Sequence, residues 1–167
     1  MKNLYRLLGI LLLLPLFSGC NDSDDTTAIF TGKTWKLNLI AVDGGHTMYD
    51  FWEGNTEAQE KSLELLSKSG TYTLTFEGLA DGDNIQGKVS GTVITSNLQG
   101  TWNANGKNNS FRATVTGNVD NGDKLAKNFL DGLNNAIKYE GDTNNLYILY
   151  KPQSAQRTFR MFFKPVK

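Results

Sequence analysis

A serine or cysteine nucleophile working near neutral pH needs a base, and the only imidazole in this 167-residue chain is His46. It lies in Asp43-Gly44-Gly45-His46-Thr47, a turn-forming stretch in which a solvated histidine is the simpler reading. No Gly-x-Ser-x-Gly elbow and no Walker-type loop accompanies it. Carboxylates are the other catalytic route, since a glycosidase needs only two, held roughly 5 to 10 Å apart. Asp50, Glu53, Asp81, Asp83, Glu140 and Asp142 all fall in segments that read as loops. Solvated turn acids explain them more simply, so a carboxylate-dependent hydrolase is kept only as the enzymatic alternative. Asp81-Gly82-Asp83-Asn84 offers closely spaced oxygens for calcium, but an EF-hand loop needs Gly at its sixth position and Glu at its twelfth, which here are Gln86 and Thr92. No metal site and no cofactor is assigned. The single cysteine excludes an intrachain disulfide and a cysteine-based zinc cage.

The most suggestive cluster is Tyr49-Asp50-Phe51-Trp52-Glu53, bracketed by Gly45 and Gly54. Rings beside carboxylates suit carbohydrate, because sugar C–H faces stack on the rings while hydroxyls bond to the acids. The alternative is structural, with Phe51 and Trp52 stapling a following helix to the domain. Trp35 and Trp102 sit on strand patterns and are expected in the core.

Cys20 carries a different chemistry. Lys2 and Arg6 precede an apolar run from Leu7 to Phe17; a positive start followed by about a dozen apolar residues reads as a signal peptide, too short to span a bilayer, which takes roughly 20. The run ends in Leu16-Phe17-Ser18-Gly19-Cys20, which resembles the bacterial lipobox. In lipobox proteins the cysteine becomes a diacylglyceryl thioether, is acylated on its new amino group and starts the mature chain. Several acyl chains, at about 0.8 kcal/mol per buried methylene, hold a protein on a membrane essentially permanently. Residues 1–19 are therefore expected to be removed and residues 20–29 to form a lipidated, acidic and solvated tether. The Asn21-Asp22-Ser23-Asp24-Asp25 start is similar to the acidic surface-export signal of Bacteroidota-type lipoproteins, and Asp25-Thr26-Thr27 resembles their short O-glycosylation motif, with Thr26 as the acceptor. These resemblances imply an outer-membrane address, displayed at the cell surface or held on the periplasmic face. Without residues 1–19 the chain keeps 148 residues, 15 basic and 17 acidic, a net charge of −2. With no cationic cluster, nothing here attracts a phosphate backbone, so no nucleic-acid partner is expected.

Such residues need a scaffold, and residues 30–167 read as one mainly β domain. Apolar side chains alternate at Trp35, Leu37 and Leu39, at Tyr72, Leu74 and Phe76, and at Phe111, Ala113 and Val115. The same period recurs at Leu146, Ile148 and Tyr150 and at Phe159, Met161 and Phe163, with weaker strands at Ile85 to Ile94 and Leu98 to Ala104. Gly, Asn and Asp clusters between them suit tight hairpins. Two amphipathic helices are expected. One starts at a Thr56–Gln59 capping box and ends at Gly70; the other runs from about Asp123 to Tyr139 on Leu125, Phe129, Leu133 and Ile137. Gly132 inside the second marks a close approach to another element. A sheet of seven to eight antiparallel strands with one apolar face curls into a small barrel, which removes its edges. The expected class is α+β, mainly β, lipocalin-like in outline.

The opening Gly32-Lys33-Thr34-Trp35-Lys36-Leu37, the Gly87-Lys88-Val89-Ser90-Gly91 segment with Gly100, and Phe129 through Leu133 leading to Tyr139, Gly141, Leu146 and Ile148 together resemble the META-domain family. These are bacterial heat-shock-inducible, membrane-associated proteins. The likeness runs from about Gly32 to Phe163. It departs where Thr92-Val93 stand in place of the family's frequent Cys-Asn, and in the extra Thr56 to Ser69 helix. Most members have no defined activity, so the resemblance implies architecture and envelope residence. The expected function is a non-enzymatic binding or interaction module, anchored to the membrane through Cys20 and meeting a glycan or an outer-membrane protein. Glycan or small apolar ligand recognition by Tyr49, Asp50, Phe51, Trp52 and Glu53 at an aromatic barrel mouth is the alternative.

Overall fold

The computed structural model describes residues 22–120, 122–153 and 155–166, with side chains from residue 26 onward. Its elements are α1 (Asp22–Phe30), β1 (Thr34–Val42), α2 (Thr56–Ser67), β2 (Thr73–Asp81), β3 (Asn84–Val93), β4 (Ser96–Asn105), β5 (Ser110–Thr116), α3 (Lys124–Asn134), β6 (Ala136–Gly141), β7 (Leu146–Tyr150) and β8 (Phe159–Pro165). The strands pair antiparallel in sequence order and β8 returns to β1, which closes the barrel. The expected small α+β barrel is thus observed, and the five strong alternation patterns lie on strands, except that Tyr72 precedes β2 with a φ of 50°. Tyr72, Leu74, Phe76, Phe111, Leu146, Ile148, Tyr150, Met161 and Phe163 are all buried, as are Trp35 and Trp102.

Local chemistry corrects several expectations. In β1 the pairing to β8 slips between Leu37 and Leu39. A bulge of this kind inserts one residue and turns the following side chains over, so Ile40 enters the core while Leu39 is only half-buried. The first predicted helix is capped by Asn55, whose side chain accepts from the Ala58 amide, and not by Thr56. The second is shorter than predicted. It ends at Asn134, and Ile137, expected on its apolar face, lies on β6 and is 41% exposed. The break has a purpose at the seam of the barrel. β5 and β6 share only the Ser110 to Lys138 pairing, and the Asn134 side-chain amide donates to the Val115 carbonyl and accepts from the Val115 amide. One side chain thereby stands in for the missing strand partner.

The largest departure is at the start. Residues 20–29 were expected to be a solvated tether, yet the chain is helical from Asp22 and the helix ends inside the fold. Thr26, Ile29 and Phe30 are buried, and the Phe30 ring meets Phe76, Trp102, Phe111 and Tyr139 at centroid distances of 4.7–5.4 Å. α1 therefore plugs the barrel near the end that carries the β4–β5 turn. The Thr26 hydroxyl lies 2.9 Å from the Tyr139 hydroxyl. A glycan on that oxygen would have to displace α1 from its seat, which is the physical objection to the O-glycosylation expected there.

Gly132 is a close approach as expected: a methyl there would come within 3.1 Å of Met161 and Tyr150 on the barrel wall. The Tyr150 hydroxyl is buried without a hydrogen-bond partner among the described residues. Burial, reinforced by the Asp131 charge, pushes its ionisation well above the ordinary value of 10. Because the folded phenol stays protonated where the unfolded one ionises, the folded state holds more protons above pH 10 and stability falls as pH rises. Tyr150→Phe should leave the melting temperature at pH 7 unchanged or raised, since an unpartnered polar group is removed, and should flatten the alkaline loss. A clear drop in melting temperature at pH 7 would show that the hydroxyl contributes to the fold.

Candidate functional site

α2 and α3 cover the other end of the barrel, beside the β3–β4 turn. α2 leans on β1 through Lys36, whose ammonium donates to the carbonyls of Leu66 and Thr71 and to the Thr71 hydroxyl. A cation at the C-terminal end of a helix also suits its dipole. Between α2, the approach to α3 and the β3–β4 turn lies a cleft of about 520 Å³. Ala58, Leu65, Ile94 and Val119 give it apolar walls, while Glu57, Lys61, Asp120 and Asp123 supply charge. Ile94 sits at the turn with φ 52°, a left-handed conformation that a β-branched residue rarely adopts.

Ser62 and Asp123, which line the cleft, belong to a hydrogen-bonded chain that runs beneath it. The Trp52 indole donates to the Ser62 hydroxyl at 3.1 Å, and Ser62 donates in turn to Asp123 at 3.2 Å. The Tyr72 hydroxyl donates to the other Asp123 oxygen at 3.4 Å. Asp123 also caps α3, accepting from the Leu125 and Ala126 amides. Burial first, and then the Asp123 charge, holds the Tyr72 phenol far above its ordinary range. The carboxylate is consequently a structural hub that ties α2, α3, β2 and the Trp52 segment together. Ser62 has a carboxylate partner but no imidazole, and the sole histidine stands exposed in the loop after β1, so the pair lacks the base that activates a serine.

The aromatic cluster is a strap. Tyr49 and Phe51 pack edge-on to each other and both contact Phe159. Asp50 folds back to accept from the Trp52 and Gly54 amides at 2.9 and 3.0 Å. Trp52 is 4% exposed, and Glu53 sits at φ 54° in the turn. Trp52 lies under α2, as the helix-stapling alternative has it, and the Asp50 oxygens are engaged by backbone, while Tyr49 and Phe51 stay half-buried beside Phe159.

The remaining acids are held in turns or ion pairs. Asp81, Gly82, Asp83 and Asn84 make the β2–β3 hairpin, closed by the Asp81 to Asn84 pairing. Arg160 bridges Asp43 and Glu140, at 2.7 and 3.5 Å. Asp142 accepts from the Asn144 and Asn145 amides, and those bonds, the Asn144 one above all, hold its carboxyl below the ordinary value. Among the described residues no group of three or more His, Cys, Asp or Glu side chains could hold a metal ion. Cys20 lies outside the described residues.

The amino-acid sequence shows Asp123 at the start of the second helix but gives no sign of the cleft. Its walls come from residues between Asn55 and Leu65, from Val93 to Ser96, and from Val119, Asp120, Gly122, Asp123 and Ala126, and no spacing in the chain reports that these three segments meet.

No curated protein matches the chain. A solved structure described as that of a DUF4847 family protein from Bacteroides vulgatus ATCC 8482 is 24% identical, with a TM-score of 0.58, covering 83% of this chain and 96% of that one. At that identity the likeness concerns the fold. The family model for a domain of unknown function, DUF4847, matches residues 21–165, and on that match, which takes in α1 and all eight strands, the chain belongs to the DUF4847 family.

Proposed function

We propose that this protein is a lipid-anchored cell-envelope binding or interaction module without catalytic activity. The observation that carries the reading is the charged, apolar and small-residue series that ends on Cys20. A barrel filled by Phe30, Trp35, Trp102 and their neighbours also favours a surface role over capture of a ligand in the lumen. The META-like series of residues supports an envelope setting, and the acidic residues after Cys20 support display on the outer membrane.

The anchor also orients the domain. Only Asn21 separates Cys20 from α1, and nine helical residues span about 13 Å. The α1 end of the barrel would then face the bilayer, and the cleft at the opposite end would face the medium. The test is labelling of cells with an alkyne fatty acid. The wild-type chain should take up the label and the Cys20→Ala chain should not. Label retained on Cys20→Ala would sink the anchor. Proteolysis of intact cells then reads the leaflet, because only a surface-displayed chain is degraded.

A further inference from the structure

We propose that the cleft between α2, α3 and the β3–β4 turn binds a small organic cation with an apolar body, an alkylammonium being its simplest form. The proposal rests on the binding-module reading and names its ligand class; it does not depend on the lipid anchor. A volume of about 520 Å³ falls within the roughly 300–1,000 Å³ of small-molecule sites. Leu65, Ile94 and Val119 come from three separate segments, are only partly buried and pack against the core, so a hydrocarbon chain would cover surface that the fold leaves open.

Charge selects the sign of the ligand. Glu57, Asp120 and Asp123 line the cleft against one cation, Lys61. The helix ends, whose positive dipoles would otherwise attract anions, are already answered. Asn55 caps α2, with Glu57 in its first turn, and Asp123 caps α3. The Asp123 oxygens are taken by two amides, Ser62 and Tyr72, so Asp123 contributes field more than a docking point. Asp120 is different. One of its oxygens accepts from the Gly122 amide at 2.8 Å, which fixes the side chain, and an ionised carboxylate keeps further acceptor positions. An ammonium at Asp120 with its alkyl chain along Leu65 and Ile94 satisfies both halves of the cleft. A carboxylate ligand would meet net repulsion there.

The experiment titrates the full-length, nitrogen-15-labelled chain with hexylammonium, with hexanoate and hexanol as size-matched controls, and follows amide shifts. Hexylammonium should give saturable shifts centred on Leu65, Ile94, Val119 and Asp120, with hexanoate giving none there. Glu57→Gln and Asp120→Asn should each weaken binding about two- to fivefold, and Lys61→Met should tighten it by a similar factor. These side chains are exposed, so melting temperatures should not change. Hexanoate or hexanol binding as well as hexylammonium would overturn the cation while leaving a binding cleft. No saturable shift with any of the three would overturn the cleft as a site for ligands of this size. Fatty-acid labelling at Cys20 is read separately and is unaffected by either result.

Discussion

Phe30→Ala should lower the unfolding free energy by about 3 to 5 kcal/mol, the range for truncating a fully buried phenylalanine. Phe30 has no exposed surface and touches four rings, stacked on Phe111, edge-on to Phe76 and Tyr139 and tilted over Trp102. Its loss leaves a cavity among large rigid side chains that cannot collapse easily. The effect also reaches α1 as a whole. An isolated nine-residue helix is unstable in water, so without its anchoring ring α1 loses the largest of its buried side chains and keeps Thr26 and Ile29 as buried contacts. Urea unfolding with hydrogen exchange checks both parts: a lower midpoint, and faster exchange in α1 than in α3. A loss below about 1 kcal/mol would mean that α1 does not plug the barrel.

Gly100→Ala should be as damaging, at about 3 kcal/mol or more, or should fail to fold. A methyl at Gly100 would lie 2.0 Å from the Thr114 carbonyl oxygen on β5, and its companions Gly87 and Gly91 would come as close to the carbonyls of Glu77 and Thr73. Those oxygens belong to paired strands, so nothing flexible can yield and the two backbones must part. Gly82→Ala is the contrast. Gly82 sits at the β2–β3 turn with φ 59° and nothing within 4 Å of the added methyl, so it should cost only about 1 kcal/mol through backbone strain. Thermal or urea unfolding of the two variants gives the comparison. Equal losses would show that conformation, and not strand contact, is what these glycines serve.

The same three glycines show how much the sequence could say. Gly87, Gly91 and Gly100 were legible as a recurring pattern that resembled a family, but the pattern alone gave no reason for them; the reason is a neighbouring carbonyl. The strands were legible because a side chain that alternates between wall and core writes its period directly into the sequence. Tyr72, Leu74 and Phe76 face inward as read, and so do Phe159, Met161 and Phe163. Where the period broke, at the Asn38 bulge in β1 and after Asn134 in α3, the cause was the fit to a partner strand. α1 was illegible for a related reason. Asp22-Ser23-Asp24-Asp25-Thr26-Thr27 has the composition of a solvated tether, and it is seated in the fold by contacts made further on and across the barrel, the Phe30 ring among four others above all.

Of the candidate site residues, Trp52 was visible as a large ring beside acids, but its chemistry depended on what stood opposite. Against Ser62 it is a buried donor, and against water it would have been a stacking surface. The cleft was not visible at all, since its three parts are separated by stretches of more than 20 residues in the chain. The amino-acid sequence by itself determined the local terms: strand period, turn chemistry and helix faces, each depending on residues a few positions apart. The tertiary structure alone decided closure of the barrel, the seating of α1, the sealing of the β5–β6 seam by Asn134, and the meeting of three segments around one charged cleft. Those depend on volumes and hydrogen-bond partners that are brought together only when distant segments pack.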